Sequence, residues 1–379
     1  MLPTNTQQQS DCCLDTYYPE SGSQWEQSKA SAQTSTSLMA TPVTPSIPAK
    51  LLAHHCVPIS QNTLKQINLA SQSIYQHLAA QSQASGGVMM SLDFHTSPVS
   101  NPKLIEINTN AGGAWIVASH FFGPNLANQL AATWLNSFQG ELQRQTGGGP
   151  LKRLAIVDDD PEHQPLKADM KIAQQLLERQ GISVILVDPK ALVLAEDGRL
   201  LSPDGQSVDL VYNRLTDFEL TESPHLLKAW RQKQVAITPN PNDHRDFAHK
   251  QQLIKLWSDH KLESPEESFL LPTYSATDMA LDWSDRKAWF FKPLDGFGSK
   301  GVYDGRKITK STWQNIDRTQ FIVQARAEPQ RCAPLDHKFD IRAIVYRGKV
   351  QMVFARSYRG QVTNVQTEGG GLACLKVDA

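Results

Sequence analysis

The sequence predicts a mixed α/β protein that contains two kinds of sheet. Between about residues 152 and 240, short buried strand patterns alternate with helix patterns, which is typical of a small parallel α/β unit. From residue 288 onward, apolar and polar residues alternate over long strand patterns, which indicates antiparallel sheets. Two further strand patterns, at 88–95 and 103–109, flank a short loop with two prolines and indicate a hairpin.

Composition excludes several classes of protein. The chain has 379 residues, enough for two or three subdomains with a sizeable core. Its 37 Lys and Arg residues nearly balance its 38 Asp and Glu residues, so we expect no nucleic-acid partner. We find no apolar run of membrane-spanning length and no signal-peptide pattern, so we expect a soluble, cytoplasmic protein. We expect five reduced, scattered thiols, at Cys12, Cys13, Cys56, Cys332 and Cys374.

The patterns divide the chain into four regions. Residues 1–48 are rich in Gln, Ser, Thr and Pro, and we expect a disordered tail without an assigned function. Region 49–150 holds an amphipathic helix pattern at 61–83, the hairpin and one helical stretch at about 114–143. Region 151–240 reads as a strand, a helix at 165–180, a strand at 182–188, a GRLLSPDG hairpin, a strand at 208–214, a helix at 224–232 and a strand at 235–239.

The last region, 241–379, begins with a helix pattern at 243–258 and continues with strands. These strand patterns cover 288–293, 301–307, 321–327, 338–359 and 373–377. The long pattern at 338–359 contains a hairpin turn, RGK, in which Gly348 is free to adopt a positive φ.

The second strand of the first hairpin, in KLIEINTNAGG, carries a candidate metal site. Glu106 and Asn108 lie two residues apart in an apolar strand, so they share one face, and the chain then turns on glycines. Asp93 precedes Glu106 by 13 residues on the partner strand, close enough for one cation to bridge the two carboxylates. These oxygen ligands suit one or two Mg²⁺ ions. For Asp93 alone, a solvated carboxylate at a strand end is the alternative.

A glycine-rich loop, GFGSKG, occupies residues 296–301. A strand pattern follows it instead of a helix, which favours a phosphate-covering flap between antiparallel strands over a dinucleotide-binding turn. The glycines allow backbone N–H groups to approach phosphate oxygens, and Lys292 precedes the loop on its strand. An ordinary flexible hairpin is the alternative, and the protein-kinase signatures H-R-D and D-F-G are absent from the sequence. The flap candidates are Gly296, Gly298, Ser299, Lys300 and Gly301.

Taken together, residues 57–375 resemble the ATP-grasp superfamily of carboxylate–amine ligases. The shared motifs are the KPLDGFGSKG flap, the strand KFDIR, the segment TNVQTEGGG and the metal hairpin DFH…LIEINTNAGG. In the usual order the hairpin comes last, whereas here it comes first, so the chain resembles a circularly permuted member. Permuted order is the arrangement of the eukaryotic-type glutathione synthetases, which EINT at 106–109 and VYNRLTDF at 211–218 also resemble.

The resemblance implies an ATP-dependent ligase that joins a carboxylate to an amine through an acylphosphate. It implies that Lys250 and Lys292 bind ATP phosphates and that backbone groups of Gln324, Ala325 and Arg326 meet the adenine edge. For Lys250 a plain surface lysine is the alternative, since Lys255 lies one turn further on. Asn364 matches the family's N…GG segment and is implied to assist the metal or the substrate.

One family feature is missing, the arginine that usually stands two positions before the metal aspartate. Its place is occupied here by Ser91. Arg342 and Arg356 are therefore the candidates to steady the transferred phosphate or the substrate carboxylate, with an exposed salt bridge as the alternative for each.

A separate set of polar residues follows a strand of the α/β unit, where ligands favour the carboxyl edge of the sheet. Asn213, Arg214 and Asp217 are candidates to contact the acceptor substrate, with purely structural roles equally open. For the acidic loop VDDDPEH at 157–163 a solvated loop is favoured.

The leading functional hypothesis is an ATP- and Mg²⁺-dependent ligase acting on an amino acid or small peptide. A glutathione synthetase-like tripeptide ligase is one alternative, and an ATP-binding sensor or scaffold without catalysis is another. The expected partners are small-molecule carboxylates and amines, without nucleic acid or membrane, and a second copy of the chain in a homodimer is a further candidate.

Overall fold

The computed structural model describes residues 45–98, 100–260, 268–296, 301–332, 336–365 and 367–378. The expected disordered tail therefore lies outside the described residues except for residues 45–48. The described part is a mixed α/β fold with three sheets of four or more strands and two small two-stranded sheets. Among the helices in this part, none has the length and apolar character needed to cross a bilayer.

The bounds of the elements are as follows. The strands are β1 Val57–Ser60, β2 Met90–His95, β3 Lys103–Asn108, β4 Arg153–Val157, β5 Ser183–Val187, β6 Val193–Leu194, β7 Leu200–Leu201, β8 Leu210–Asn213, β9 Ala236–Thr238, β10 Thr273–Ser275, β11 Trp289–Pro293, β12 Tyr303–Asp304, β13 Phe321–Ala325, β14 Arg331–Cys332, β15 His337–Tyr346, β16 Lys349–Tyr358, β17 Gly371–Ala373 and β18 Leu375–Asp378. The helices are α1 Gln61–Ala79, α2 Ala114–Phe121, α3 Gly123–Thr146, α4 Lys167–Glu178, α5 Pro224–Arg231, α6 Pro241–Asp243, α7 Gln251–His260 and α8 Lys310–Asn315.

The largest sheet is antiparallel and combines the two ends of the chain. Its strand order is β17-β16-β15-β2-β3, and β14 adds to β15. The β2–β3 hairpin, which lies near residue 100 in the chain, therefore pairs directly with β15, which lies near residue 340. The β15–β16 turn is the one expected from RGK, with φ of 49° at Arg347 and 78° at Gly348.

Two smaller sheets are built from strands that lie between β3 and β14 in the chain. The order β10-β13-β11-β12 forms an antiparallel sheet whose β11 and β12 lead into and out of the glycine-rich loop. The order β5-β4-β8-β9 forms the parallel sheet expected from the alternating strand and helix patterns. β6 and β7 form a separate small hairpin.

The single helix expected over 114–143 is in fact two helices. α2 ends at Phe121 and α3 begins at Gly123, which has a φ of 73° that a continuing α-helix cannot accommodate. Pro124 stands in the first turn of α3, where its missing N–H costs no hydrogen bond. α3 ends at Thr146, and Gly147 caps it in a left-handed conformation with a φ of 66°.

The helix expected over 243–258 is also interrupted. α6 runs into a π-helical turn at His244–Ala248, and His249 then takes an extended ψ of 131° before α7 begins. Lys250 lies in this break, where it is 7% exposed, whereas Lys255 lies on α7 and is exposed. The break therefore leaves Lys250 buried and Lys255 exposed, although the sequence pattern places them one helical turn apart.

The core consists of layers between the sheets. α2, α3 and α4 fill the space between the large antiparallel sheet and the parallel sheet, with Trp134 and Phe138 fully buried among residues of both. α1 covers the opposite face of the large sheet with the apolar stripe that its periodicity predicts, Leu64, Ile67, Ala70, Ile74 and Leu78. Ser60 caps α1 by accepting a hydrogen bond from the backbone N–H of Thr63.

The first and last strands close the fold. β1 pairs in parallel with β18, so that Val57 lies beside Leu375. The strand expected over 373–377 is divided into β17 and β18 at Cys374, because its first part pairs with β16 and its second part with β1.

Candidate functional site

A cavity of about 930 Å³ lies where the three larger sheets meet. Its wall includes most of the charged residues that the sequence singled out, although they lie far apart in the chain. The predicted site residues among its lining are Glu106, Asn108, Arg214, Lys250, Lys292, Gly296, Gln324, Ala325, Arg342, Arg356 and Asn364.

The β2–β3 hairpin presents Glu106 and Asn108 to this cavity. The strand register shifts between Asp93, which lies opposite Glu106, and Phe94, which lies opposite Leu104. This bulge inserts Ile105 as an extra residue, so Leu104 and Ile107 can both enter the core while Glu106 and Asn108 face the cavity. The irregularity also leaves the carbonyl of Ile105 in place to accept a hydrogen bond from Lys292.

Asp93 occupies a different environment from the other two predicted metal ligands. Its side chain is fully buried, and Arg342 donates to both of its oxygens, from Nε at 2.8 Å and Nη2 at 2.7 Å. Arg356, Ser91 and the Asn108 amide donate to it as well. Burial alone would raise the pKa of Asp93, but the two guanidinium groups lower it to about 2. Asp93 is therefore ionised, and its carboxylate holds the guanidinium groups of Arg342 and Arg356 in position.

Arg356 is held by a second buried carboxylate. It donates from Nε at 2.7 Å and Nη2 at 2.9 Å to Asp340, and Thr363 also donates to Asp340. Burial lowers the pKa of Arg356, but Asp340 and Asp93 outweigh it and raise the pKa above its ordinary value. The exposed salt bridge considered as an alternative for Arg342 and Arg356 is wrong, since both are about nine-tenths buried.

Two lysines also line the cavity. Lys292 donates from Nζ to the carbonyl of Ile105 at 2.6 Å and to the Gln324 side chain at 2.7 Å. Burial lowers the pKa of Lys292 to about 8, with Glu106 opposing the shift. Lys250 donates to the carbonyl of Gly296 at 2.7 Å, and burial lowers its pKa. The surface-lysine alternative for Lys250 is therefore wrong.

The predicted adenine-binding stretch lies on β13 and just after it. The backbone N–H of Ala325 donates to Pro272, and that of Arg326 donates to Ala288. The Arg326 side chain forms ion pairs with Asp304 and Glu328, both at 2.6 Å. These donors are already engaged within the protein, and the Gln324 side chain accepts from Lys292, so contact of this stretch with adenine stays a prediction.

The glycine-rich loop is described only at its two ends. Gly296 lines the cavity, and Gly301 has a φ of 71° at the start of the returning segment. The predicted donors Gly298, Ser299 and Lys300 lie outside the described residues. Their contact with phosphate therefore stays a prediction.

Of the three residues predicted at the edge of the parallel sheet, the structure brings one into the cavity. Arg214 lines it and donates to the carbonyl of Ala111 at 2.9 Å. The Asn213 side chain instead donates to the carbonyl of Pro239, just after β9, and accepts from the N–H of Leu215. Asp217 accepts from Thr221 and Glu222 in a local turn. The acceptor-contact prediction for Asn213 and Asp217 thus has no support from their positions.

The acidic loop after β4 contributes a carboxylate to the cavity wall, whereas the sequence favoured a solvated loop. Asp158 lines the same end of the cavity as Arg214, and burial raises its pKa to about 6. A fully solvated loop would not produce this shift, because water would stabilise the ionised carboxylate. The sequence signal was the position of Asp158 directly after a buried parallel strand.

Sequence reasoning also missed Asp340 and Thr363. Asp340 lies two residues before Arg342, so the two side chains share one face of β15, and this alternation is the signal that would have found it. Thr363 lies in the loop after β16 with Asn364, and both line the cavity. No local pattern marks Thr363, because its role depends on the loop folding over Asp340.

The lining residues fit Mg²⁺ and a polyphosphate. Among the described residues there is no group of three His, Cys, Asp or Glu side chains that could hold a metal by themselves. Glu106 supplies one carboxylate, and Asn108 donates its NH₂ to Asp93, which turns its amide oxygen away from Asp93. One or two protein oxygens are the usual contribution to Mg²⁺ when phosphates and water complete the shell.

Comparisons with known proteins give the following similarities. No family model and no curated protein matches the chain. A provisional γ-glutamylcysteine synthetase from Methylobacillus flagellatus KT is 10% identical, with 86% of this chain and 90% of that chain covered at a TM-score of 0.49. The ATP-grasp ligase PsnB, in complex with a minimal precursor, is 11% identical, with 56% of this chain and 90% of that chain covered at a TM-score of 0.31. These values do not assign the chain to a family.

Proposed function

We propose that this protein is an ATP-dependent carboxylate–amine ligase acting on an amino acid or a small peptide. The observation that carries the proposal is the convergence of Lys250, Lys292, Arg342 and Arg356 with Glu106 on one cavity. Four cations around one carboxylate suit a ligand that carries several negative charges and a bridging metal ion.

In this proposal Lys250 and Lys292 bind the phosphates of ATP. Both are largely desolvated, and the lowered pKa of each shows that its charge lacks the stabilisation that water would give. A bound phosphate would restore that stabilisation. Mg²⁺ on Glu106 and Asn108 would neutralise the phosphate charge during transfer.

Arg342 and Arg356 would steady the substrate carboxylate and the transferred phosphoryl group. A carboxylate oxygen attacks the γ-phosphorus, and the bond to ADP breaks with its electron pair leaving on ADP. The amine then attacks the acyl carbon of the acylphosphate, the carbon–oxygen bond breaks, and phosphate leaves as the nitrogen loses a proton. Because Asp93 and Asp340 hold both guanidinium groups before substrate arrives, little reorganisation is needed.

The end of the cavity at Arg214 is the proposed site for the amino acid or peptide. Arg214 offers a buried cation for a carboxylate, and Asp158 on the adjacent loop offers an acceptor for an ammonium group. A molecule with both groups is favoured over a simple carboxylate. This pair supports the amino acid or peptide class.

The chain order fits a circularly permuted ATP-grasp protein. Supporting this, β2 and β3 are formed first along the chain but pair beside β15, which is formed near its end. The parallel pairing of β1 with β18 also brings the two ends of the described fold together.

The second candidate is an ATP-binding sensor or scaffold without turnover. The observation that favours it is Asp93, which was expected to bind metal but is engaged with two arginines. A site with only Glu106 and Asn108 for Mg²⁺ can bind nucleotide without accelerating transfer.

The deciding experiment measures ADP release from Mg²⁺-ATP across a panel of amino acids and dipeptides. A ligase releases ADP only with a suitable carboxylate and amine, and Glu106→Gln abolishes that release. Nucleotide binding with no substrate-dependent ADP release across the panel would favour the sensor. Glu162→Gln, on an exposed loop with its ion pairs to Lys167 and Lys171, is the matched control and keeps full activity.

A further inference from the structure

Two cysteines that lie 318 residues apart in sequence meet where the ends of the fold pair. The Sγ atoms of Cys56 and Cys374 lie 2.6 Å from each other, and both residues are thiols in this structure. Cys56 directly precedes β1, and Cys374 directly precedes β18. Since Val57 pairs with Leu375 and the Val57 N–H donates to the Cys374 carbonyl at 2.9 Å, the two cysteines continue the same parallel ladder.

We propose that Cys56 and Cys374 are a redox modification site that forms a disulfide and joins the first strand to the last. Neighbouring strands lie about 4.8 Å apart, and a disulfide needs a Cα separation of about 4.4–6.8 Å. The backbone therefore already has the spacing that the bond requires. Cys332, the third described cysteine, lies at β14 beside the carbonyl of His337 and is not part of this pair.

The exposure of the two sulfurs sets the order of the chemistry. Cys56 is partly exposed, whereas Cys374 is 1% exposed. A peroxide therefore reaches Cys56 first: a sulfur–oxygen bond forms, the oxygen–oxygen bond breaks, and one water leaves. Cys374 then attacks the Cys56 sulfur, the sulfur–oxygen bond breaks, and a second water carries away the thiol proton. Two thiols are oxidised and one peroxide is reduced to two waters.

The bond would stabilise one wall of the cavity. Leu372, two residues before Cys374, lines the cavity and accepts a hydrogen bond from the N–H of Ala53 at 2.9 Å. Leu372 also packs closely on Gly113, where a Cβ atom would lie 2.8 Å from a Leu372 methyl group. Separation of β1 from β18 would therefore disturb this wall. A disulfide between the two strands would keep them together and so prevent this local unfolding.

The test uses the full chain with Cys12→Ser and Cys13→Ser, so that three cysteines remain. After treatment with hydrogen peroxide, digestion with trypsin without reductant is expected to give one disulfide-linked pair, peptides 51–65 and 360–376. The oxidised protein is expected to unfold several degrees higher than the same sample in dithiothreitol. Cys56→Ser and Cys374→Ser each remove the linked pair and the shift, whereas Cys332→Ser keeps both.

The proposal is overturned if the oxidised protein still has three titratable thiols, or if Cys56 is converted to sulfinic acid without a link. A link from either cysteine to peptide 332–338 overturns it as well. The measurement on the parent protein decides the question even where a serine variant fails to fold. Its outcome does not depend on ATP or on ligase activity.

Discussion

Arg342 lies directly opposite Asp93 on the neighbouring strand, and its guanidinium group bonds to both oxygens of that carboxylate, at 2.8 and 2.7 Å. Arg356 reaches the same carboxylate from the next strand, at 2.8 Å. One buried anion thus sets the positions of two cations that face the cavity. The two arginines that bond to Asp93 thus come from two different strands, β15 and β16, and neither lies on the strand of Asp93 itself.

Replacement of Asp93 by Asn is expected to lower the free energy of unfolding by about 3–5 kcal/mol, because two buried guanidinium groups lose a shared anion. Urea unfolding measures this change. Asp259→Asn is the control: its exposed pair with His77 is expected to contribute less than about 1 kcal/mol. An equal loss in both variants would show that Asp93 does not anchor the arginines.

The lowered pKa of Asp93 predicts that the free energy of unfolding depends on pH in the acidic range. The folded-state pKa of Asp93 is about 2, below its ordinary value of 3.8, so folding favours the ionised form. Its contribution is therefore complete above pH 3.8 and is lost as the pH falls through about 2. Unfolding free energies measured from pH 5 to pH 2 should converge for the parent and Asp93→Asn; a constant difference would contradict the assignment.

Nucleotide affinity is expected to fall as the pH rises through about 8. Lys292 has a pKa of about 8 without ligand, and only its protonated form attracts phosphate. The Kd for ATP should therefore rise toward tenfold per pH unit above that value. Calorimetry between pH 6.5 and 9.5 measures it, and Lys292→Arg, which stays charged, should show a weaker dependence than the parent. A flat profile for the parent would rule out the phosphate role of Lys292.

Gly305 is expected to tolerate no side chain at the end of β12. A Cβ atom there would lie 1.8 Å from the Arg286 carbonyl oxygen and 2.7 Å from that of Trp289, and both belong to backbone. Gly305→Ala should lower the free energy of unfolding by about 3 kcal/mol. Gly149→Ala is the control, since a Cβ atom there meets nothing within 4 Å. Thermal unfolding of both variants checks this, and similar midpoints would contradict it.

Local patterns were sufficient to predict most elements. The alternating strand and helix patterns predicted the parallel sheet, and the RGK turn predicted the β15–β16 hairpin, because both depend on periodicity and backbone preference. Local patterns failed at 122–123 and at 244–250. In both places an apolar helical pattern continues through a backbone break, and a phenylalanine at each break, Phe122 or Phe247, is buried in the core.

The site residues likewise include some that local patterns predicted and some that depend on long-range packing. Residue types and spacing were enough to single out Glu106, Asn108 and Lys292, since strand alternation decides which face each side chain occupies. The partners of Asp93 and the pairing of Cys56 with Cys374 could not be read from spacing. They depend on β15, β16 and β18 returning to strands formed some 250 to 320 residues earlier, and only long-range sheet pairing determines which side chains meet there.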